Sequence, residues 1–139
     1  MSERFCLDGK AVLITGASRG VGAAIAVEAA ARGAMVTCTA RSTTAAPKRI
    51  PGTINETVDA ITQAGGRAIA IPADLTSPDD IERMVAQSVE QWGRLDVVIN
   101  NAAVTFVGDV DIDLKRHDLI MAINLQAPLL TVRAALPHL

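Results

Sequence analysis

Apolar runs of strand length alternate with helix-patterned segments along almost the whole chain. Short, nearly continuous apolar runs predict strands at Ala11–Thr15, Met35–Ala40, 68–71 and 95–99. Such runs are typical of parallel strands, which are buried on both faces of a sheet. Amphipathic or alanine-rich segments predict helices at Gly20–Ala31, from 54 to about 65, and from 77 to 93. The order β-α-β-α-β-α-β-α therefore predicts an α/β fold, a doubly wound parallel sheet of about four strands with flanking helices.

Local signals define where the later helices begin and end. Ser77 is suited to cap the third helix, Pro78 to occupy its first position, and Gly93 to stop it. From about Asp113 the pattern is helical again, with an irregularity expected at Pro128 because proline has no backbone N–H. With no internal repeat and no linker, residues 1–139 are interpreted as one domain.

The segment TGASRGVG, residues 15–22, lies where the first strand gives way to the first helix. A helix N-terminus offers unpaired N–H groups and partial positive charge, so an anionic pyrophosphate can bind there if no side chain blocks it. Gly16 permits the tight turn, while Gly20 and Gly22 let a cofactor approach. We expect valine at Gly16 or Gly22 to abolish cofactor binding and leave the fold largely intact. Glycines that serve only the turn are the alternative.

TGASRGVG resembles the cofactor loop of the short-chain dehydrogenase/reductase family. Three further motifs of that family follow in order, namely Asp74 after the third strand, NNAA at 100–103 after the fourth, and Asn124 in the last helix. The family usually has glycine where Ala103 stands, a mild departure. The segments APKRIPGTI and KRHDLIMAIN are similar to the hydroxysteroid dehydrogenase-like branch. The resemblance covers the family's N-terminal half, and it implies a Rossmann-type sheet.

The resemblance also implies roles for individual residues. Asp74 would accept a hydrogen bond from the adenine amine, and Asn124 would be a catalytic residue that supports a water in the proton relay. Alternatively, Asp74 caps a turn and Asn124 satisfies a helix kink. The other implied cofactor-binding residues surround the pyrophosphate and ribose or lie along the nucleotide: Gly16, Ala17, Ser18, Arg19, Gly20, Val21, Gly22, Leu75, Asn100 and Ala102.

The end of the second strand bears on the choice of cofactor. An NAD site normally has a carboxylate there, which binds the ribose 2′-hydroxyl and would repel a 2′-phosphate. Here the strand ends in Ala40 and Arg41. Arg41 and Arg19 are both able to reach the adenosine ribose, and Lys48 is a further cation in the nearby long loop. The sequence therefore favours NADP. The alternative is that Arg41 is only a solvated loop charge.

Several residues that the family uses for proton transfer have no counterpart in the sequence. There is no tyrosine, and the three lysines, Lys10, Lys48 and Lys115, precede the segment where the family's tyrosine and lysine would lie. The expected activity is NADP-dependent hydride transfer between nicotinamide and a small-molecule carbonyl or alcohol substrate. We expect the 139-residue chain to carry the cofactor-binding half and to be inactive alone. A non-catalytic nucleotide-binding module or an inactive fragment is the alternative.

Composition and charge narrow the partners and the compartment. A net charge of -2 provides no basic face for nucleic acid or an anionic membrane. The N-terminal MSERFCLDGK has no apolar signal region, and the two cysteines form no CxxC pair, so a cytoplasmic protein is expected. His117 and His138 lack partners at metal-ligand spacing, so no metal is expected. A homo-oligomer is expected because the family usually pairs subunits through the helix that contains Asn124.

Overall fold

The computed structural model describes residues 6–41, 51–108 and 110–139. Within these residues the strands are β1 (Ala11–Thr15), β2 (Met35–Ala40), β3 (Arg67–Pro72) and β4 (Val97–Ile99). The α-helices are α1 (Gly20–Ala31), α2 (Ile54–Gln63), α3 (Pro78–Trp92), α4 (Leu114–Met121) and α5 (Ala127–Ala135). A π-helical stretch, Ala122–Gln126, joins α4 to α5, and a 3-10 turn, Leu136–His138, follows α5.

The strands form one parallel sheet in the order β3-β2-β1-β4, which confirms the predicted Rossmann-type fold. β1 is buried along its whole length, as its central position requires. β4 is shorter than the predicted 95–99, because the Asp96 carboxylate accepts a hydrogen bond from the Ala11 N–H (2.9 Å) at the point where the strand would begin. Among the described residues β4 pairs only with β1, and it remains half-buried.

Helices cover both faces of the sheet. On one face α1 and α2 pack on alternate residues of β1 and β2, so that Val12, Ile14, Val36 and Cys38 lie in one apolar cluster. On the other face Leu13 packs with residues of α3 and α5 in a second cluster. Because alternate side chains of a strand point to opposite faces, the central strands are buried on both sides and are mostly apolar, and their polar residues are threonines. The site is therefore held by a rigid two-sided core.

The predicted signals at the ends of α3 are confirmed. The Ser77 side chain accepts a hydrogen bond from the Asp80 N–H, Pro78 occupies the first turn, and Gly93 adopts a left-handed conformation (φ 72°) after the last residue. The start of α2 carries a capping box that the sequence analysis missed. Thr53 and Glu56 exchange side-chain to backbone hydrogen bonds of 2.8 and 3.1 Å.

The irregularity expected at Pro128 is a π-helical turn just before it. Since Pro128 has no N–H, the carbonyl of Asn124 cannot receive an α-helical hydrogen bond, and the Ala127 N–H instead bonds to the Ala122 carbonyl, five residues back. The combined helix, Leu114–His138, is long and apolar enough to cross a membrane by length and composition, and 22% of its apolar window is buried. One helix of this length and composition is weak evidence for a membrane span, because the core helix of a soluble protein passes the same test.

Candidate functional site: a cleft at the carboxyl ends of the strands

A cleft of about 330 Å³ opens where β1, β2 and β4 end and the loops that follow them meet. This edge of a parallel sheet, where the strand order reverses around β1, is the usual ligand-binding position in open α/β folds. Residues from five segments distant in sequence line it: Gly16, Ser18, Arg19, Ala40, Arg41, Ala73, Leu75, Asn101, Ala102, Ala103, Val104, Leu119 and Ile123.

The three glycines of the loop between β1 and α1 have different structural roles. Gly16 (φ 70°) and Gly20 (φ 54°) are left-handed, a conformation that glycine adopts without strain. A Cβ at Gly16 would lie 2.9 Å from the Ala102 Cα, and a Cβ at Gly22 would collide with the Gly16 carbonyl and the Asn101 amide. A Cβ at Gly20 would meet open space.

These positions correct the expected effect of valine at Gly16 or Gly22. The added side chains would first displace the loop and the segment after β4, because the nearest atoms belong to the protein itself. The fold would not remain largely intact. Gly20, exposed at the first position of α1, is the glycine whose open side leaves room for an anion at the helix N-terminus.

Thr15 and Asn101 join the glycine loop to the segment after β4. The buried Thr15 hydroxyl oxygen accepts hydrogen bonds from the N–H groups of Asn101 and Ala102, both at 3.1 Å. The Asn101 side-chain amide donates to the carbonyls of Thr15 (3.0 Å) and Gly16 (3.2 Å). We call these two residues and their four bonds the Thr15–Asn101 clamp. Sequence reasoning assigned neither residue a role, although Asn101 stands within the motif NNAA.

Arg19 lines the cleft, and its guanidinium is hydrogen-bonded within the protein through one of its nitrogens. Its Nη2 donates to the Gly52 carbonyl (3.1 Å), while its Nε is buried and has no hydrogen-bond partner among the described residues. A buried donor without an acceptor is costly, so this group suits an anionic ligand that would complete it. Arg41 is exposed at the end of β2 and also lines the cleft. The third predicted cation, Lys48, lies outside the described residues.

Asp74 follows β3 and makes an Asx turn. Its Oδ1 accepts from the N–H (2.9 Å) and the hydroxyl (2.7 Å) of Thr76, and these two bonds are the main reason that its pKa lies below the usual value. The positive charge of Arg41 lowers the pKa further. The turn-capping alternative therefore describes the contacts of Asp74 within the chain, and an adenine amine contact stays a prediction. Its neighbour Leu75 lines the cleft.

Asn124 is tied to the segment after β4 rather than to another polar side chain. Its Oδ1 accepts from the Val104 N–H (2.9 Å) and its Nδ2 donates to the Val104 carbonyl (2.8 Å). This pair of bonds fixes the wall of the cleft that includes Ala102 to Val104 and seats the π-helical turn against it. Both bonds go to Val104, outside the helix, so they do not support the helix-kink alternative, and a catalytic role stays a prediction.

The remaining predicted residues divide into those at the cleft and those beside it. Ser18 and Ala102 line it, whereas Ala17 is fully buried behind the loop. Val21 is 69% exposed and Asn100 is exposed, and neither lines the cleft. The structure thus brings together Gly16, Arg19, Arg41 and Leu75 around one cavity. The described residues contain no group of three or more His, Cys, Asp or Glu side chains able to hold a metal ion.

Comparison with known proteins identifies the family. The family model for short chain dehydrogenases matches residues 10–139. The chain belongs to the short-chain dehydrogenase family. Among its relatives, hydroxysteroid dehydrogenase-like protein 2 of Danio rerio is 40% identical over 134 residues, which are 96% of this chain and 32% of that protein. Versicolorin reductase of Emericella nidulans is 37% identical over 139 residues, 99% of this chain and 50% of the relative.

Solved structures of short-chain dehydrogenases share the fold closely. A dehydrogenase/reductase from Sinorhizobium meliloti 1021 matches with a TM-score of 0.86 and 38% identity, covering 97% of this chain and 51% of the other. A metagenomic short-chain oxidoreductase in complex with NADP matches with a TM-score of 0.85 and 35% identity, covering 94% and 57%. The chain thus spans between about one third and just over half of these proteins. Its resemblance to the hydroxysteroid dehydrogenase-like branch is also confirmed.

Proposed function

We propose that this chain is the NADP-binding part of an oxidoreductase that transfers a hydride between nicotinamide and a carbonyl or alcohol substrate. Membership of the short-chain dehydrogenase family supports the reaction class. The observation that carries the choice of cofactor is the pair Arg19 and Arg41 at the adenosine end of the cleft, with no carboxylate at the end of β2. NADP supplies the hydride chemistry when bound.

The geometry of the cleft fits a 2′-phosphorylated dinucleotide. Arg19 and Arg41 both line the cavity, and the buried Arg19 Nε has no acceptor among the residues that the structure describes. Phosphate oxygens accept charge-assisted hydrogen bonds from such groups, whereas a ribose hydroxyl would leave positive charge uncompensated. The related oxidoreductase that was solved in complex with NADP agrees with this proposal. Gly20, at the open N-terminus of α1, would leave room for the pyrophosphate.

The chain's own residues would orient the cofactor, and proton transfer would need groups beyond those described. Val104, which Asn124 holds, lines the wall toward which the nicotinamide end would extend. The Asn124 carbonyl, which Pro128 cannot bond, suits a water. Without a tyrosine in the 139 residues, we propose that this chain shows no turnover by itself. A non-catalytic nucleotide-binding module is the alternative, and it shares the cofactor site.

Equilibrium titration with NADPH and NADH tests the cofactor assignment. We expect NADPH to bind at least about tenfold more tightly, which corresponds to roughly 1.4 kcal/mol, because two arginines can pair with the 2′-phosphate. Arg41→Ala should reduce this ratio, while Arg83→Ala, which removes an exposed arginine of α3 outside the cleft, should leave it unchanged. Equal affinities for the two cofactors, or a ratio insensitive to Arg41→Ala, would refute the assignment to NADP.

We also propose that the chain self-associates through the helix Leu114–His138. Large apolar side chains recur along one exposed stripe of this helix: Met121, Leu125, Leu129, Val132 and Leu136. A continuous exposed stripe of this kind is typical of a protein interface. We expect light scattering to give a mass above 14.5 kDa, and Leu125→Lys with Leu129→Lys to lower it. A wild-type monomer would contradict this proposal. The cytoplasmic location stays a prediction.

A further inference from the structure

The start of α2 rests on the glycine loop and fixes part of its backbone. The Thr57 hydroxyl, 6% exposed, donates to the Ala17 carbonyl at 2.8 Å, across 40 residues of sequence. Gly52, immediately before the capping box of α2, lies against the same loop, because a Cβ there would be 2.5 Å from the Ser18 carbonyl oxygen. Ala17 and Ser18 are thus held from the side opposite β4, where Asn101 holds Gly16.

The same contact sets the orientation of Arg19. The Gly52 carbonyl accepts from Arg19 Nη2 at 3.1 Å, and a Cβ at Gly52 would lie 2.9 Å from the Arg19 Cβ. Gly52 has φ 120°, a conformation that favours glycine, so this close approach depends on the absence of a side chain. With Nη2 held by Gly52, the buried Nε is a donor of the planar guanidinium that has no partner within the described part of the chain.

We propose that Gly52 and Thr57 are positioning residues that set the selectivity of the cofactor site for a 2′-phosphate. They act through Arg19 and the loop rather than by touching the phosphate, since neither of them lines the cleft. A guanidinium that is already fixed loses less freedom when it binds a phosphate than one that is free to rotate. This inference rests on the proposed NADP site. It adds that selectivity for the 2′-phosphate is controlled from the connection between β2 and β3, which contains α2.

The binding of 2′,5′-ADP compared with 5′-AMP isolates this effect, because the two ligands differ only in the 2′-phosphate. Titration calorimetry on the chain should show wild type preferring 2′,5′-ADP. Thr57→Val should reduce that preference by about threefold to tenfold, the effect of one buried hydrogen bond. Thr57→Ser, which keeps the hydroxyl, should show the wild-type preference. Gly52→Ala should reduce it by more than about tenfold, since the added Cβ pushes on both Ser18 and Arg19.

Matched controls separate positioning from general destabilisation. Thr62→Val removes a hydroxyl from the same helix, where it bonds to the Val58 carbonyl (2.9 Å) away from the loop. Gly65→Ala introduces alanine at another positive φ (84°), where a Cβ meets open space. Both variants should keep the wild-type preference. Melting curves followed by Trp92 fluorescence should show each variant folded at the titration temperature. If Thr57→Val does not fold, Thr57→Ala, which also removes the hydroxyl, takes its place with the same expected loss.

The outcomes distinguish failure of this inference from failure of the proposed function. A wild-type chain that binds 2′,5′-ADP and 5′-AMP equally overturns the proposed NADP site and, with it, the inference. A wild-type preference that is lost in Arg19→Ala but unchanged in both Gly52→Ala and Thr57→Val overturns the inference alone. Equal losses in Thr57→Val and Thr62→Val would likewise overturn it, because the effect would then be structural.

Discussion

Replacement of Thr15 by valine should destabilise the fold far more than the same replacement at Thr39. The two threonines are register partners on β1 and β2, and each is 1% exposed. They differ in what their hydroxyl groups bind. Thr15 accepts from the N–H groups of Asn101 and Ala102, whereas the Thr39 hydroxyl contacts only the Met84 sulfur, at 3.6 Å.

The expected magnitude follows from those partners. Valine at Thr15 leaves the Ala102 N–H without its acceptor, whereas the Asn101 N–H keeps a hydrogen bond to the Ile99 carbonyl (3.0 Å). A buried unsatisfied donor costs about 1–3 kcal/mol. Because Ala102 is half-buried, we expect the free energy of unfolding to fall by about 1–3 kcal/mol in total. At Thr39 only a weak bond to sulfur is lost, so the expected change is within about 1 kcal/mol.

Urea unfolding followed by the fluorescence of Trp92, the single tryptophan, measures both variants. With a slope of about 1–3 kcal/mol per molar, the midpoint for Thr15→Val should fall by roughly 1–2 M at unchanged slope. Thr15→Val combined with Asn101→Ala should be less destabilising than the sum of the single changes, because both belong to the Thr15–Asn101 clamp. Equal losses at Thr15 and Thr39 would refute this assignment of the clamp.

Two further predictions concern titratable groups. The side chain of Arg94, the Ala11 N–H and Lys10 hold the pKa of Asp96 well below its usual value, so the unfolded chain takes up the proton first as the pH falls below about 4. Urea unfolding should therefore show that the free energy of unfolding of the wild type falls between pH 5 and pH 3, and that it falls less in Asp96→Asn. The same pH dependence in the wild type and in Asp96→Asn would contradict this. Burial raises the pKa of Cys38 to about 12, so a thiol reagent at pH 8 should modify the exposed Cys6 alone and should reach Cys38 only in denaturant. Mass spectrometry counts the modified cysteines. Two modified cysteines in the native protein would show that Cys38 is not protected by burial.

The local pattern of the sequence determined the order of elements and several of their ends. Continuous apolar runs marked the central strands because those strands are buried on both faces, and Ser77, Pro78 and Gly93 marked α3 because capping depends on adjacent residues. The glycine loop and the arginine at the end of β2 also stand out locally. They indicated the family and the position of the cleft before any contact was known.

The tertiary structure decided which of these residues act on one another. Glycine is required at position 22 because a side chain there would collide with Gly16 and Asn101. The Asn124 side chain hydrogen-bonds to the Val104 backbone, and the Arg19 guanidinium donates to the Gly52 carbonyl. These partners lie between 6 and 79 residues apart in sequence, and the periodicity of a segment reports only whether it is buried, not what it packs against. Polar contacts at the cleft follow from how the loops after β1, β2 and β4 converge, so only the folded chain specifies them.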